Sequence, residues 1–425
     1  MSKEWEKKYK NANPPDLSNR TILFAYNLCL DKIKYVQDTS WIAYQPYLPT
    51  RLDRMNDVFA GLLFCMGKGM AHELTFSDEG VKAEMERLIF DEVRLGGQVG
   101  IMANYACLLG ARSIIYPHRI SPEIKERLDT RILVPQKGRL VPVREIPTQE
   151  ASTHYIFEFR EGTEAHGIKA PRNNRFIASS AFDTLNFDSD FEEMLPHLTP
   201  NYSVISGFHL IAENYRNATF KDHIAKIKSH IETLKRNKNH RVHCEMAALN
   251  PKIVPCMEEI FSLADSVGLN ECELSFLSEW FGKRGGKDIF SLFEAMTFLK
   301  EKFLLKRIHL HNVGYYLCMT ENPQKEREAL LFSSLAAAAK ARSGEIKSIS
   351  EIMESKGVPV SEKGIEEIKR LSIALGSKEI LEEGLYENLV CIPTKVVDHP
   401  KSTVGLGDII SSAFFLQEEN PQDSA

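Results

Sequence analysis

Near its C-terminus the chain reads Thr403-Val404-Gly405-Leu406-Gly407-Asp408-Ile409-Ile410, two glycines and an acid running into an apolar helical pattern. These residue types at this spacing suit an anion hole with a carboxylate beside it. Glycine lets backbone approach an oxyanion closely, and the first N–H groups of a helix can face a phosphoryl group. Asp408, at the same end, is placed to take a proton from an attacking hydroxyl. The string equally fits an ordinary tight turn into a helix, so its weight depends on what else the chain carries.

Several other polar groupings need a common account. Asn27 and Asp31 follow an apolar run and suit either sugar hydroxyls or a capped turn. Gly96-Gly97-Gln98, with Asn104 beyond, can bring backbone donors against a polyhydroxyl ligand or simply join a strand to a helix. Arg172 and Arg175 flank Asn173-Asn174, and two guanidiniums so placed can clamp a phosphate as well as decorate a turn. His243 and Glu245 alternate onto one face of a strand. Asn270 and Glu273 are three apart and share a helix face; they suit water-mediated Mg²⁺ binding or a plain capping box.

The elements that must position these groups can be read from periodicity. Thr21–Asn27, Tyr202–Phe208, Arg241–Met246 and Arg307–Asn312 read as strands, while Tyr215–Asn237 and Glu326–Ser343 read as helices, the latter holding the run Ala336–Ala339. This alternation predicts a layered α/β domain with a mostly parallel, doubly wound sheet. Between about 138 and 190 the texture changes. Leu140–Ile146, His154–Arg160 and Arg175–Ser179 look like successive strands without helices between them, and Ile33–Leu48 supplies another strand or two. In His154–Arg160 the rings of Tyr155, Phe157 and Phe159 share one face. These segments predict a small β-rich lid, the alternative being edge elaborations of one domain.

Composition sets the bounds. With 425 residues, 43% hydrophobic and 26% charged, the chain can bury a large core in more than one structural unit. A net charge of -5 gives no global case for nucleic acid, and the lysines of the 226–238 region read as a solvated helix face. The eight cysteines show no paired metal-ligand spacing, the N-terminus lacks a signal-peptide pattern and no stretch is apolar enough to span a membrane, so a cytoplasmic protein with reduced thiols is expected. The polar tail 417–425 reads as frayed.

Taken in order, Asn27 to Asp31, Gly96-Gly97-Gln98 with Asn104, Asn174-Arg175-Phe176-Ile177, His243-x-Glu245, Asn270-x-x-Glu273 and Thr403 to Asp408 resemble the archaeal ADP-dependent sugar kinases of the ribokinase-like superfamily. The resemblance covers most of the chain. It implies a large doubly wound α/β domain (residues 1–32, 52–137 and 191–425) under a small β-sheet lid (33–51 and 138–190). It also implies Mg²⁺-dependent transfer of the terminal phosphoryl group of ADP to a hexose or hexose phosphate, yielding AMP, by a monomer or small homo-oligomer.

On the matching positions the resemblance makes Asp408 the catalytic base and Gly405 and Gly407 the anion hole, assisted by His243 and Asn270. Glu245 and Glu273 organise the metal. Asn27, Asp31, Gly97 and Gln98 face the sugar, with Arg175, Arg172 and Lys169 holding a phosphate already on it. Val396 and Val397 support adenine, and Lys395 can touch phosphate. Arg172 and Arg175 tip the expected acceptor toward fructose 6-phosphate; glucose, or both sugars, is the alternative, decided by whether Ala71 or Glu73 faces the acceptor. An ATP-dependent kinase on the same fold and a non-enzymatic sugar- or nucleotide-binding module are the rivals. The middle of Asn27-Leu28-Cys29-Leu30-Asp31 is less polar than the resemblance leads one to expect.

Overall fold

The computed structural model describes residues 2–37, 46–117, 119–180, 185, 187–211, 219–247 and 251–416. The start of the expected helix at Tyr215, part of the segment 33–51 and the tail from Gln417 lie outside them. An 11-stranded sheet forms the body of the molecule. Its middle is parallel, in the spatial order Arg307–His311, Ser266–Asn270, Arg241–Glu245, Tyr202–Ile205, Thr21–Tyr26, Arg112–Pro117 and Leu133–Gln136. Antiparallel strands finish both edges, Tyr315–Met319, Leu389–Pro393 and Leu385–Tyr386 on one side and Arg139–Pro142 on the other.

The central strand shows why the sheet is covered on both faces. Ile22 and Phe24 point into one hydrophobic core, while Leu23 and Ala25 point into another. Burial on both faces demands the continuous apolar run seen in the sequence. From this strand the chain winds outward in opposite directions, so the order reverses between Thr21–Tyr26 and Tyr202–Ile205. A crevice opens at the carboxyl ends of strands beside such a switch point. Asn27, Glu245, Asn270 and His311 all stand at carboxyl ends of these strands.

A second, five-stranded sheet runs in the order His72–Phe76, Asn174–Ser180, Thr153–Phe159, Cys29–Tyr35, Glu92–Gly96. The shared face of Tyr155, Phe157 and Phe159 packs with Phe176 and Phe76 against Leu62, Leu63 and Met66 of the helix Met55–Lys68. Two expectations need correcting. The segment beginning Leu140 is not in the small sheet: Lys137 and Gly138 both have positive φ (48° and 74°) and form a tight two-residue turn that folds Arg139–Pro142 back onto Leu133–Gln136 in the large one. Conversely, the small sheet takes Cys29–Tyr35, His72–Phe76 and Glu92–Gly96 from stretches assigned largely to the big domain. The latter two strands are short and flanked by helices, so their sequence looks like ordinary α/β alternation. No helix among the described residues is long and apolar enough to cross a membrane.

Candidate active site

Asp408 lies in the first turn of the helix Leu406–Ser411, after Gly405, which takes the left-handed conformation (φ 72°). Side chains are excluded from this turn for steric reasons as well. A Cβ on Gly405 would stand 2.5 Å from Ile101 Cδ1 and 3.0 Å from Lys340 Cε, and one on Gly407 would stand 2.7 Å from His311 Nε2. Burial raises the Asp408 carboxyl to about 6, with Lys340 opposing the rise and Asp31 adding to it. Lys340 is itself buried near the end of the helix Pro323–Ser343, and its ammonium donates to the Gly344 carbonyl at 3.3 Å. Burial lowers its pKa, against the pull of Asp408 and Asp31. A single buried cation therefore serves both acids.

Beneath this turn runs a polar ladder inside the sheet. Register sets His243 beside Ser266 and Ser266 beside Arg307; it sets Glu245 beside Gly268 and Asn270 beside His311. Side chains on a strand alternate faces, so all of these point the same way. Arg307 donates to Glu326 through Nε and Nη2, each at 2.9 Å, and to Ser266 Oγ at 3.1 Å. Ser266 Oγ lies 2.8 Å from His243 Nδ1, and His243 Nε2 lies 3.0 Å from Glu245 Oε2. Phe414 covers the ladder, stacking on His243 with ring centres 4.9 Å apart.

Burial drives His243 well below its ordinary pKa, with Arg307 and His311 adding to the effect, so its ring is neutral. When Glu245 is ionised, a neutral ring with its proton on Nε2 donates to it, and Ser266 can donate to Nδ1. Burial, then Asp408, raises Glu245 well above the usual carboxylate range. Burial also lifts Glu273 to about 7. Burial and the nearby Asp408 charge thus favour the protonated forms of Glu245 and Glu273, and a divalent cation would let them ionise. Asn270 and Glu273 form a full capping box: Asn270 Oδ1 accepts from the Cys272 and Glu273 amides and Glu273 Oε2 accepts from the Asn270 amide, each at 2.9 Å. The cap reading is thus realised, and it orients Glu273.

Asn27, Asp31, Gly97 and Gln98 come together around the start of the helix Gln98–Leu108, with Asp31 near enough to Asp408 to raise its pKa. Gly97 caps the helix Gln98–Leu108 with φ 73°, and a Cβ there would lie 2.5 Å from the Asn27 carbonyl oxygen. Gly96 likewise leaves room for Asp31, whose Oδ1 would be 2.1 Å from a Cβ. Asn27 Oδ1 and Gln98 Oε1 are buried without hydrogen-bond partners among the described residues, a cost that a polar ligand would remove. Glu73 accepts from Ser179 Oγ at 2.5 Å, and its carboxyl is held below the usual range against burial by His154, His209, Ser179 and Arg175. Ala71 is exposed just outside the same strand. Arg175 Nη1 donates to Thr403 Oγ1 at 3.2 Å, linking the small sheet to the catalytic turn.

Other expected residues sit elsewhere. Lys395 has no donor left for a phosphate: its three ammonium hydrogens are matched by Glu6 at 2.7 Å and by the carbonyls of Lys356 and Val358 at 3.1 and 2.6 Å. The family resemblance suggested phosphate for it, but the N-terminal helix Ser2–Asn11 supplies the Glu6 carboxylate. Arg172 donates to the Gly69 carbonyl at 2.5 Å, and Lys169 lines a hollow of about 920 Å³ with Arg160, Asn173 and His399. Val396 and Val397 line a separate hollow of about 390 Å³ with Arg342 and Pro359. Sequence reasoning missed Lys340, Gly268, Arg307 and Glu326. Only Gly268, a glycine inside an apolar strand, carried a signal, that of a close approach.

A doubly wound sheet that gathers acids, a buried cation and a glycine-rich helix start at its carboxyl edge has the parts of a phosphoryl-transfer enzyme. The chain belongs to the ADP-specific phosphofructokinase/glucokinase family, whose conserved region matches residues 20–417. It is an ADP-dependent sugar kinase. The ADP-dependent glucose/glucosamine kinase of Pyrococcus furiosus is 34% identical, over 97% of this chain and 98% of that one. The ADP-specific phosphofructokinase of Methanosarcina acetivorans is 29% identical over 87% of this chain and 84% of its own length. A solved structure described as an ADP-dependent kinase complex with fructose-6-phosphate and ADPbetaS superposes with a TM-score of 0.86 at 30% identity, covering 97% of both chains.

Proposed function

We propose that this chain transfers the β-phosphoryl group of ADP to a hydroxyl of glucose, and that Asp408 is the base. The acceptor oxygen attacks the β-phosphorus in line. Its P–O bond forms as the bond to the bridging oxygen breaks, AMP departs with that oxygen, and the hydroxyl proton passes to Asp408. A carboxyl at about pH 6 is ionised at neutral pH yet basic enough to accept a proton in the transition state. The backbone N–H groups around Gly405 and Gly407 and the Lys340 ammonium offset charge on the transferring group.

Glu245 and Glu273 suit Mg²⁺, directly or through water, because removing their protons and pairing their charges with a cation relieves the strain of their burial. Bound there, the ion would neutralise charge on the diphosphate. His243 and Asn270 hold these two acids in position rather than meeting phosphate themselves. Arg175, tied to Thr403, couples closure of the small sheet to the catalytic turn, and closure excludes water that would otherwise hydrolyse ADP.

The observation that carries the choice of acceptor is Glu73. A carboxylate among Ser179, His154 and His209 offers a sugar hydroxyl a charged acceptor, which supports Glu73 over the exposed Ala71 as the residue that reads the sugar. This reverses the preference for fructose 6-phosphate drawn from Arg172 and Arg175; Arg172 is exposed and gives its Nε–H to the Gly69 carbonyl. Fructose 6-phosphate is the second reading, supported by Arg175, whose Nε has no partner among the described residues, and by the sugar named for the solved relative. The test is a matrix of ADP or ATP against glucose or fructose 6-phosphate with Mg²⁺, all products quantified. AMP and glucose 6-phosphate are expected; AMP with fructose 1,6-bisphosphate as the faster product overturns the choice of acceptor.

A further inference from the structure

We propose that Cys29, Asp31 and His154 form a binding site for a zinc-type divalent cation, and that its occupancy excludes the sugar. Among the described residues these three form the one group of metal-ligating side chains whose ligand atoms all lie within 4.8 Å of one another. Cys29 Sγ is 3.6 Å from Asp31 Oδ1 and 3.5 Å from His154 Nδ1, and His154 Nδ1 is 3.6 Å from Asp31 Oδ1. Zinc bonds of about 2.0–2.3 Å arranged tetrahedrally place their ligand atoms about 3.4–3.6 Å apart. The trio therefore needs little rearrangement to close on the ion.

The ligands sit on rigid supports. Cys29 and Asp31 are two apart on the strand Cys29–Tyr35 and share its face, and register puts His154 of the neighbouring strand directly beside Asp31. Thiolate, imidazole and carboxylate together favour zinc or cobalt over magnesium, which prefers an all-oxygen octahedron. The site is thus chemically separate from the one at Glu245 and Glu273. Three protein ligands leave a fourth position open to water, so the ion can exchange. In the Asn27–Asp31 segment Leu28 and Leu30 pack in the core, while the Cys29 thiol between them faces the other two ligands. An ion on Asp31 Oδ1, with its bound water, takes up the charge and the space that a sugar hydroxyl would use at this carboxylate, so the second half of the inference rests on the proposed sugar site.

Cobalt tests binding without any activity. Titrating the full chain with Co²⁺, free of nucleotide, is expected to give a thiolate-to-cobalt charge-transfer band and intense tetrahedral bands at one equivalent. Both should be lost in Cys29→Ser and in His154→Gln. Absence of the thiolate band from the parent, or its persistence in Cys29→Ser, overturns the site. Zn²⁺ is expected to raise the apparent KM for sugar without lowering kcat, at least tenfold less effectively in Cys29→Ser, whose activity without zinc stays within about twofold of the parent. Cobalt bands that survive saturating sugar would overturn the competition, while leaving the metal site and the kinase reading separately intact.

Discussion

Gly268 has no side chain where Glu245 needs the room: a Cβ there would stand 2.1 Å from Glu245 Oε2, and 3.0 Å from His243 Nε2. The pair explains a glycine in a buried strand, where it would otherwise only weaken the sheet. Gly268→Ala is expected to push the carboxylate aside. Overpacking of this kind costs about 1–3 kcal/mol. The Mg²⁺ concentration for half-maximal rate should rise several-fold with sugar KM unchanged. Unchanged Mg²⁺ dependence would show that Glu245 does not serve the metal.

Asp408 joins activity to stability with opposite signs. Its folded pKa, about 6, is above its ordinary value of 3.8. The folded state therefore holds the proton more tightly, and the stability this confers is full below pH 3.8 and lost as pH rises through about 6. Above that, the ionised group costs on the order of 1–3 kcal/mol. Asp408→Asn should lower kcat roughly 10²–10⁴-fold. It should also raise the melting temperature at pH 8 more than at pH 4. Turnover within twofold of the parent would remove Asp408 as the base.

Lys340 opposes the rise in the Asp408 pKa, so its loss has a signature that misfolding would not imitate. Lys340→Met should move the acid limb of the kcat–pH profile upward by roughly one unit, the scale of an opposite charge at close range. An unmoved limb would show that Lys340 does not tune Asp408.

Arg307 and Glu326 are both buried and bind each other through two hydrogen bonds of 2.9 Å. Glu326→Gln keeps the shape but leaves the guanidinium charge unpaired, which costs about 3–5 kcal/mol. Urea unfolding should show a lower midpoint. An unchanged midpoint would mean that the Ser266–His243 end of the ladder does not depend on this anchor.

These variants also mark what was legible in the sequence. The parallel strands were readable because both of their faces are buried, which forces continuous apolar runs such as Ile22-Leu23-Phe24. The small sheet was readable where an aromatic alternation exposed its period, as in Tyr155, Phe157 and Phe159, and not where short strands such as His72–Phe76 lie between helices. Asp408 and Glu245 were found because their neighbours make local motifs. Lys340 and Glu326 were not, because each reaches its partner only through tertiary packing of one alanine-rich helix, whose sequence speaks of helix alone.

The acceptor rests on one side chain, and Glu73→Ala isolates it. Glu73 reaches Ser179 across the small sheet rather than joining the sheet's aromatic core, so truncation should remove a ligand contact without collapsing the packing beneath. A hydrogen bond to a charged acceptor contributes about 1.5–3 kcal/mol, so kcat/KM for glucose is expected to fall roughly 10–150-fold. The space left behind should let fructose 6-phosphate turn over as well as before or better, with Arg175 available to its phosphate. Equal losses on both sugars would mean that Glu73 supports the small sheet rather than reading the acceptor. A glucose kcat/KM within twofold of the parent would return the acceptor to fructose 6-phosphate.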